Sequence, residues 1–314
     1  MKYKAGYLMR ANEGVYGVIR AALPPGCDLV TLDDGMAPAD AMPGLDFVIA
    51  GKVTAQMIAS APRLKLILAP GIGVDSIDLH AAGERNIPVA CTIGGNVTEV
   101  AEHAMLLMLA VSRRLVELDA AVRRGEWLMW ARRLECRNLS GRSLGIVGYG
   151  RIGREIAVRA RAFGMTVRYS DPAQPGSIPL EHVLRTSDFV CLCVPLTAET
   201  RGFINRERLA LLPVGAVLVN VARGEVVDEP ALIEALQSGR LSGAGLDVFC
   251  PEPPAKDNPL LSMPNVVVSP HTGSGTLDGL QAKAAQYAEN IRRCLAGEPL
   301  IDCIQPATEE AAAR

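Results

Sequence analysis

The sequence predicts an α/β protein made of two doubly wound parallel-sheet domains, and three observations carry that expectation. Its 314 residues are about twice the ~150-residue prior for a single domain. Hydrophobic residues make up 49% of the chain but aromatic ones only 4%. The core must therefore be built from Ala, Val, Leu and Ile, which suits strands covered by helices on both faces. Short apolar runs also alternate with amphipathic stretches along the chain, as successive βα units require.

In the first part of the chain, strands are expected at Ala5–Met9, Asp28–Leu32, Phe47–Ala50, Leu66–Ala69 and Val89–Thr92, with helices at Thr54–Ser60 and Ile77–Glu84 among them. A long helix is then expected from Val97 to about Arg124, capped by Asn96 with Glu99 in the reciprocal position and stopped by Gly125. At ~1.5 Å per residue it would run about 40 Å, enough to cross between two domains. The alternation restarts at Ser143, with strands expected at Leu144–Val147, Thr166–Ser170, Phe189–Val194, Ala216–Asn220, Gly243–Val248 and Val266–Ser269. Six strands is the count of one dinucleotide-binding unit. No low-complexity segment or short-period repeat interrupts either part.

Composition removes several classes of function. The 32 basic and 34 acidic residues leave a net charge of −2, without the basic excess of a nucleic-acid binder. No apolar run approaches the ~20 residues that span a bilayer, and Met1-Lys2-Tyr3-Lys4 leads into a strand with no signal-peptide core. The eight cysteines are too sparse for a disulfide scaffold and have no zinc-site spacing, so no metal is expected. They read as reduced core thiols of a cytoplasmic protein, with Cys191 and Cys193 on one face of a strand.

Gly148-Tyr149-Gly150-Arg151-Ile152-Gly153 directly follows the strand at Leu144–Val147 and opens a helix. The first glycine allows the tight turn, the second lets backbone approach a pyrophosphate, and the third permits close helix–strand packing. The helix N-terminus then offers its N–H groups to the phosphates. Asp171 ends the next strand, 18 residues after Gly153, placed to bond the ribose hydroxyls. A carboxylate there repels the extra phosphate of NADP, so NAD is the expected cofactor. Arg168 weighs the other way, though alternation should point it away from Asp171. A glycine turn that only packs a helix, or an S-adenosylmethionine site, are the competing readings.

Three strand ends carry further polar residues. Arg223 stands beyond the strand ending at Asn220, and its planar fork suits a carboxylate. Glu252 is held between Pro251 and Pro253. Of four histidines, only His271 directly follows a strand; His80, His103 and His182 read as structural or surface residues. A histidine paired with a glutamate stays protonated near neutral pH, as an acid donating to a carbonyl oxygen must.

Together these stretches resemble the D-isomer specific 2-hydroxyacid dehydrogenases. The resemblance is carried by Gly71-Ile72-Gly73-Val74-Asp75-Ser76-Ile77-Asp78, Asn96-Val97-Thr98-Glu99-Val100-Ala101-Glu102, the glycine loop, Val194-Pro195-Leu196-Thr197, Ala222-Arg223-Gly224, Asp247-Val248-Phe249 through Glu252-Pro253, and Ser269-Pro270-His271. It covers roughly residues 45 to 275. It implies a Rossmann NAD-binding domain (96–274) inserted in a flavodoxin-like substrate domain (1–95 and 275–314), with hinges near Gly94–Asn96 and His271–Gly275 and a returning helix near Leu277–Ala296. It also implies roles. Arg223 and the backbone of Gly71, Ile72, Gly73 and Val74 would bind the carboxylate of a small 2-oxo or 2-hydroxy acid. His271 would be the acid–base residue with Glu252 behind it, and Asp247 would contact the nicotinamide carboxamide. Val194, Pro195, Thr200, Val221, Ala222, His271 and Gly273 would complete the cofactor site beside the glycine loop and Asp171.

Val221 departs from the small hydroxyl residue that many relatives carry before Ala-Arg-Gly, and the chain ends too soon after the last helix for an appended regulatory domain. Trp127 and Trp130 are expected either to pack on a helix end or to form the arm of a homodimer. An NAD(H)-sensing corepressor on the same fold is the alternative function. Lys52 is a candidate partner for a second anionic group on the substrate.

Overall fold

The computed structural model describes residues 2–32 and 35–304. Residues 1, 33, 34 and 305–314 of the expected substrate domain lie outside the described residues. The chain divides into two compact units, Met1–Asn96 with Gly275–Arg314, and Val97–Ser274.

The strands, in chain order, are β1 (Tyr3–Tyr7), β2 (Cys27–Thr31), β3 (Phe47–Ile49), β4 (Leu66–Ala69), β5 (Val89–Cys91), β6 (Ser143–Val147), β7 (Thr166–Ser170), β8 (Phe189–Leu192), β9 (Ala216–Asn220), β10 (Leu241–Leu246), β11 (Val266–Val268) and β12 (Cys303–Ile304). The first unit's sheet has the order β12-β5-β4-β3-β1-β2, and the second unit's has β11-β10-β9-β8-β6-β7. Every pairing is parallel except β12 on β5. This is the expected α/β class. The second sheet repeats the first sheet's order, each with one strand, β2 or β7, beyond its first strand and four on the other side. In each sheet the order reverses beside the first strand, at β1/β3 and β6/β8. The crevice beyond the carboxyl ends at such a point is where open α/β sheets bind ligands.

Strand composition explains the layering. Along β8, Phe189 and Cys191 enter one buried cluster while Val190 and Leu192 enter another. Along β3, Phe47 and Ile49 are separated from Val48 in the same way. Both faces of each sheet are therefore covered, and each fully buried aliphatic side chain contributes about 1.5–3 kcal/mol. The helix Leu277–Ala296 is where the sequence places it. Its Ala284, Tyr287 and Ile291 share a core with Ala5, Ile19 and Phe47, so the chain returns to the first unit.

Three expectations require correction. The single long helix is two, Val97–Ser112 and Leu115–Arg123, because Arg114 adopts a left-handed conformation at φ 51°. Glu135 pairs with Arg114 at 2.9 Å, and the Ser112 carbonyl accepts from Arg137 N–H, so the following segment holds the break. The cysteines are all free thiols, but they are not all core residues. Cys191 is buried, with its Sγ 3.8 Å from that of Cys193, whereas Cys250 and Cys303 are exposed. Trp127 and Trp130 do not pack on a helix end. They are 77% and 66% exposed, and the Arg133 guanidinium lies 4.5 Å above the Trp130 ring. Strand ends also shift: β1 and β10 begin two residues before their expected starts, and the short β12 is absent from the sequence reading.

Candidate active site

The glycine loop is shaped by backbone contacts that admit no side chain. Gly148 sits at φ +91°, and a Cβ there would lie 2.7 Å from the Cys193 carbonyl oxygen, beyond β8. A Cβ on Gly153 would strike the Gly148 carbonyl, which forces the helix Arg151–Ala162 close against the turn. Gly150 differs: nothing lies within 4 Å of its Cβ position, and no side chain caps the helix that it begins. The loop thus leaves space and N–H groups where a pyrophosphate would approach, and its residues fit a dinucleotide.

Asp171 stands at the end of β7. Its carboxylate accepts from Tyr149 N–H at 2.8 Å and from Ala173 N–H at 3.0 Å. The Tyr149 ring stacks on Tyr169 with centroids 3.7 Å apart, which fixes the loop against β7. Beyond β8, Thr200 donates to the Pro195 carbonyl at 2.7 Å and accepts from Thr197 N–H at 2.8 Å, closing the turn that follows Val194.

At the end of β9, buried Asn220 donates to the Arg223 carbonyl at 2.8 Å and accepts from Ala222 N–H at 3.0 Å. The side chain of Asn220 therefore sets the Val221-Ala222-Arg223 turn. A Cβ on the next residue, Gly224, would collide with the Phe249 carbonyl, so the turn lies directly against the chain leading to Glu252. Glu252 accepts from Phe249 N–H at 3.1 Å, and its other oxygen lies 2.7 Å from His271 Nδ1. Arg223, Glu252 and His271 come from three separate strand ends and form one constellation.

The electrostatics of that constellation are coupled. The hydrogen bond to Glu252 raises the His271 pKa; burial and the nearby Arg223 charge oppose this without cancelling it. Burial pushes the Glu252 carboxyl up, but the His271 hydrogen bond and charge outweigh it and hold the carboxyl below its ordinary value. His271 itself sits at φ 50°, in the left-handed region uncommon for a side-chain-bearing residue.

That conformation is held by Asp247. Its carbonyl accepts from His271 N–H at 2.7 Å, and its carboxylate accepts from Thr272 N–H at 2.9 Å, Gly273 N–H at 2.8 Å and the Ser269 hydroxyl at 2.6 Å. His103 Nε2 lies 3.2 Å from the same carboxylate and 2.8 Å from Ser269 Oγ. Burial raises the Asp247 pKa, yet these donors overcome it and keep the carboxyl below its ordinary value. From sequence, His103 reads like His80 and His182 as a structural or surface residue. The latter two are indeed exposed, whereas His103 is only 13% exposed. No local pattern could have signalled its pairing across 144 residues of chain.

Gly71, Ile72, Gly73 and Val74 belong to the first unit, in the loop following β4 at that sheet's carboxyl edge. Asn96 Oδ1 lies 3.4 Å from the Cβ position of Gly71, and the Val53–Ile77 bridge ties the end of the loop to the segment after β3. Among the described residues, no group of three or more His, Cys, Asp or Glu is arranged to hold a metal ion.

Residues 105–273 match the family model of the D-isomer specific 2-hydroxyacid dehydrogenase NAD-binding domain. The chain belongs to the D-isomer specific 2-hydroxyacid dehydrogenase family. It is 42% identical over 261 residues to a hydroxypyruvate reductase of Thermotoga maritima, covering 80% of this chain and 85% of that protein. It is also 42% identical over 257 residues to a D-3-phosphoglycerate dehydrogenase of Methanocaldococcus jannaschii. That alignment covers 79% of this chain but about half (48%) of the longer protein. A crystal structure of a Thermus thermophilus protein superposes with a TM-score of 0.86 at 36% identity, covering 96% of this chain and all of the other. Family membership makes this dehydrogenase an oxidoreductase with NAD as its cofactor. The corepressor alternative gains no support from these relatives. No described helix is long and apolar enough to cross a membrane.

Proposed function

We propose that this dehydrogenase interconverts a small 2-oxo acid and the corresponding D-2-hydroxy acid, with His271 as its acid–base residue. The observation that carries the proposal is the 2.7 Å contact between His271 Nδ1 and Glu252, beside the Arg223 charge. The dinucleotide, when bound, supplies or accepts hydride at carbon 2 of the substrate. The residues of the chain do the rest. Arg223 binds the substrate carboxylate and polarises the 2-oxo group, and in the first unit the Gly71–Val74 backbone is assigned to carboxylate binding. In reduction, Nε2 of the imidazolium gives its proton to the carbonyl oxygen, and Glu252 stabilises the cation through Nδ1 until then. In oxidation the neutral ring takes that proton back.

The unit 96–274 is assigned the dinucleotide, and 1–95 with 275–314 the substrate. In the former, Gly148, Tyr149, Gly150, Arg151, Ile152 and Gly153 face the pyrophosphate. Asp171 takes the ribose and favours NAD over NADP, and Val194, Pro195, Thr200, Val221, Ala222, Asp247 and Gly273 line the remainder. A cytoplasmic location is consistent with eight free cysteines. A homodimer accounts for the exposed apolar side chains of Leu115, Val116, Val122, Trp127, Met129, Trp130 and Leu134; a monomeric mass in light scattering would count against it.

The test is loss of NADH absorbance with glyoxylate, hydroxypyruvate and phosphohydroxypyruvate. Turnover of at least one is expected. Failure with all three and with a wider set of 2-oxo acids would overturn the assignment.

A further inference from the structure

Asp247 grips the turn carrying His271 from both ends, by its main-chain carbonyl and by its carboxylate. Few carboxylate orientations satisfy the Thr272 and Gly273 N–H groups together, so the turn depends on how the Asp247 side chain is held. Two side chains hold it. Ser269 belongs to the same loop and moves with it. His103 comes from the helix Val97–Ser112, whose Ala101, Ala104, Leu107, Met108 and Val111 are buried in the unit's core. The same helix presses on the turn, since a Cβ on Gly273 would meet Val100 Cγ2 at 3.4 Å and His103 Cδ2 at 3.7 Å. Ser269 gives its one O–H to the Asp247 carboxylate at 2.6 Å, so its Oγ accepts from His103 Nε2–H at 2.8 Å, and that N–H also faces the carboxylate at 3.2 Å.

We propose that His103 is a positioning residue: its Nε2–H, shared between Ser269 Oγ and the Asp247 carboxylate, fixes that carboxylate, which holds the 271–273 turn so that His271 meets Glu252. Asp247 is thereby anchored to the rigid core rather than only to its own loop. The inference rests on the reading of His271 as the acid–base residue, and it adds a residue that touches neither substrate nor cofactor. The charged groups acting on His271 are Glu252, Arg223 and Asp247, so its titration reports how well the turn keeps the ring on Glu252. A role limited to stability would lower the melting temperature without moving that titration.

The experiment follows the His271 ring by NMR through a pH titration of the full chain, beside kcat and KM, in His103→Leu, His103→Gln and Ser269→Ala. In His103→Leu, the His271 pKa should fall towards the ordinary histidine value. Its kcat should drop about tenfold or more, because small misplacements of a reacting group cost that much, and the KM for NADH, whose proposed site includes Asp247 and Gly273, should rise by a smaller factor. His103→Gln restores an N–H donor and should recover much of both. Ser269→Ala should move both in the same direction by less. A folded His103→Leu protein with unchanged His271 titration and kcat would overturn the proposal. Should His103→Leu not fold, His103→Phe, which keeps a ring but no N–H donor, takes its place, and unchanged values there would overturn the proposal equally. If the parent turns over no 2-oxo acid, the functional assignment fails, while the titration still decides the positioning role.

Discussion

The two units share one strand order and use it differently. Each sheet reverses direction beside its first strand, so each has a crevice at its carboxyl edge. In the second unit that edge carries the glycine loop, Asp171, Arg223, Glu252 and His271, each braced by named hydrogen bonds. In the first unit the corresponding edge carries the Gly71–Val74 loop and exposed Lys52, and among the described residues its histidine–carboxylate pair, His80 with Glu84 at 3.5 Å, lies exposed on a helix surface. Topology therefore supplies the place for a ligand, and side chains decide what happens there. On the proposed assignment, chemistry and cofactor fall to the second unit and substrate preference to the first.

Replacing His271 tests that division most severely. His271→Ala should lower kcat by about a hundredfold to ten-thousandfold, the range for loss of a general acid, while NADH affinity measured by fluorescence is retained. Glu252→Gln sharpens the result through its sign. Glu252 raises the His271 pKa, so the imidazolium needed for reduction persists to higher pH, and the rate falls as pH rises through that raised value. Without the carboxylate, this alkaline limb should move to lower pH. A limb that stays in place, with kcat reduced equally at all pH values, would remove Glu252 from the proton's control.

Two glycines of one loop separate folding from binding in the same unit. Gly148→Ala puts a Cβ at positive φ against the Cys193 carbonyl and should destabilise the protein by about 1–3 kcal/mol, read as a lowered melting temperature. Gly150→Ala meets no protein atom within 4 Å. Its melting temperature should hold, while NADH affinity falls about tenfold, or ~1.4 kcal/mol. Equal losses of stability in both variants would mean that the open space at Gly150 serves the fold rather than a dinucleotide.

How much of this was legible in the sequence follows from what each feature depends on. The glycine loop could be read because steric exclusion acts locally, and residues at Gly148 and Gly153 have no alternative to glycine. The ends of β9 and β11 exposed Arg223 and His271 because an apolar run that stops at a polar residue marks a sheet edge. The Arg114 break gave no such signal, since a left-handed arginine without adjacent glycine or proline depends on Glu135, 21 residues later. His103 was invisible for the same reason at longer range: a histidine on a helix face looks alike whether it meets solvent or Asp247. Strand pairing decided β12, whose two residues add to β5 only after the chain has returned through Leu277–Ala296.

The smallest expected effect concerns the first unit. Lys52 is exposed and makes no ion pair among the described residues. Its neighbour Val53 donates its N–H to the Ser76 carbonyl at 3.1 Å, and its own carbonyl accepts from Asp78 N–H at 2.9 Å. These bonds tie the Lys52 loop to the chain that continues from Gly71–Val74. A substrate whose carboxylate lay on that loop could turn a second anionic group towards Lys52. The two relatives aligned at 42% identity differ by name in whether their substrate carries a phosphate, so this contact bears on the choice between them. A solvent-exposed ion pair contributes about 0.2–1 kcal/mol, and Lys52→Ala should therefore raise the KM for phosphohydroxypyruvate by only about twofold to fivefold. The KM for glyoxylate, which has no second anionic group, should not move. Equal changes for both substrates would return Lys52 to the solvated surface and leave the preference of the first unit to be sought in its backbone loops.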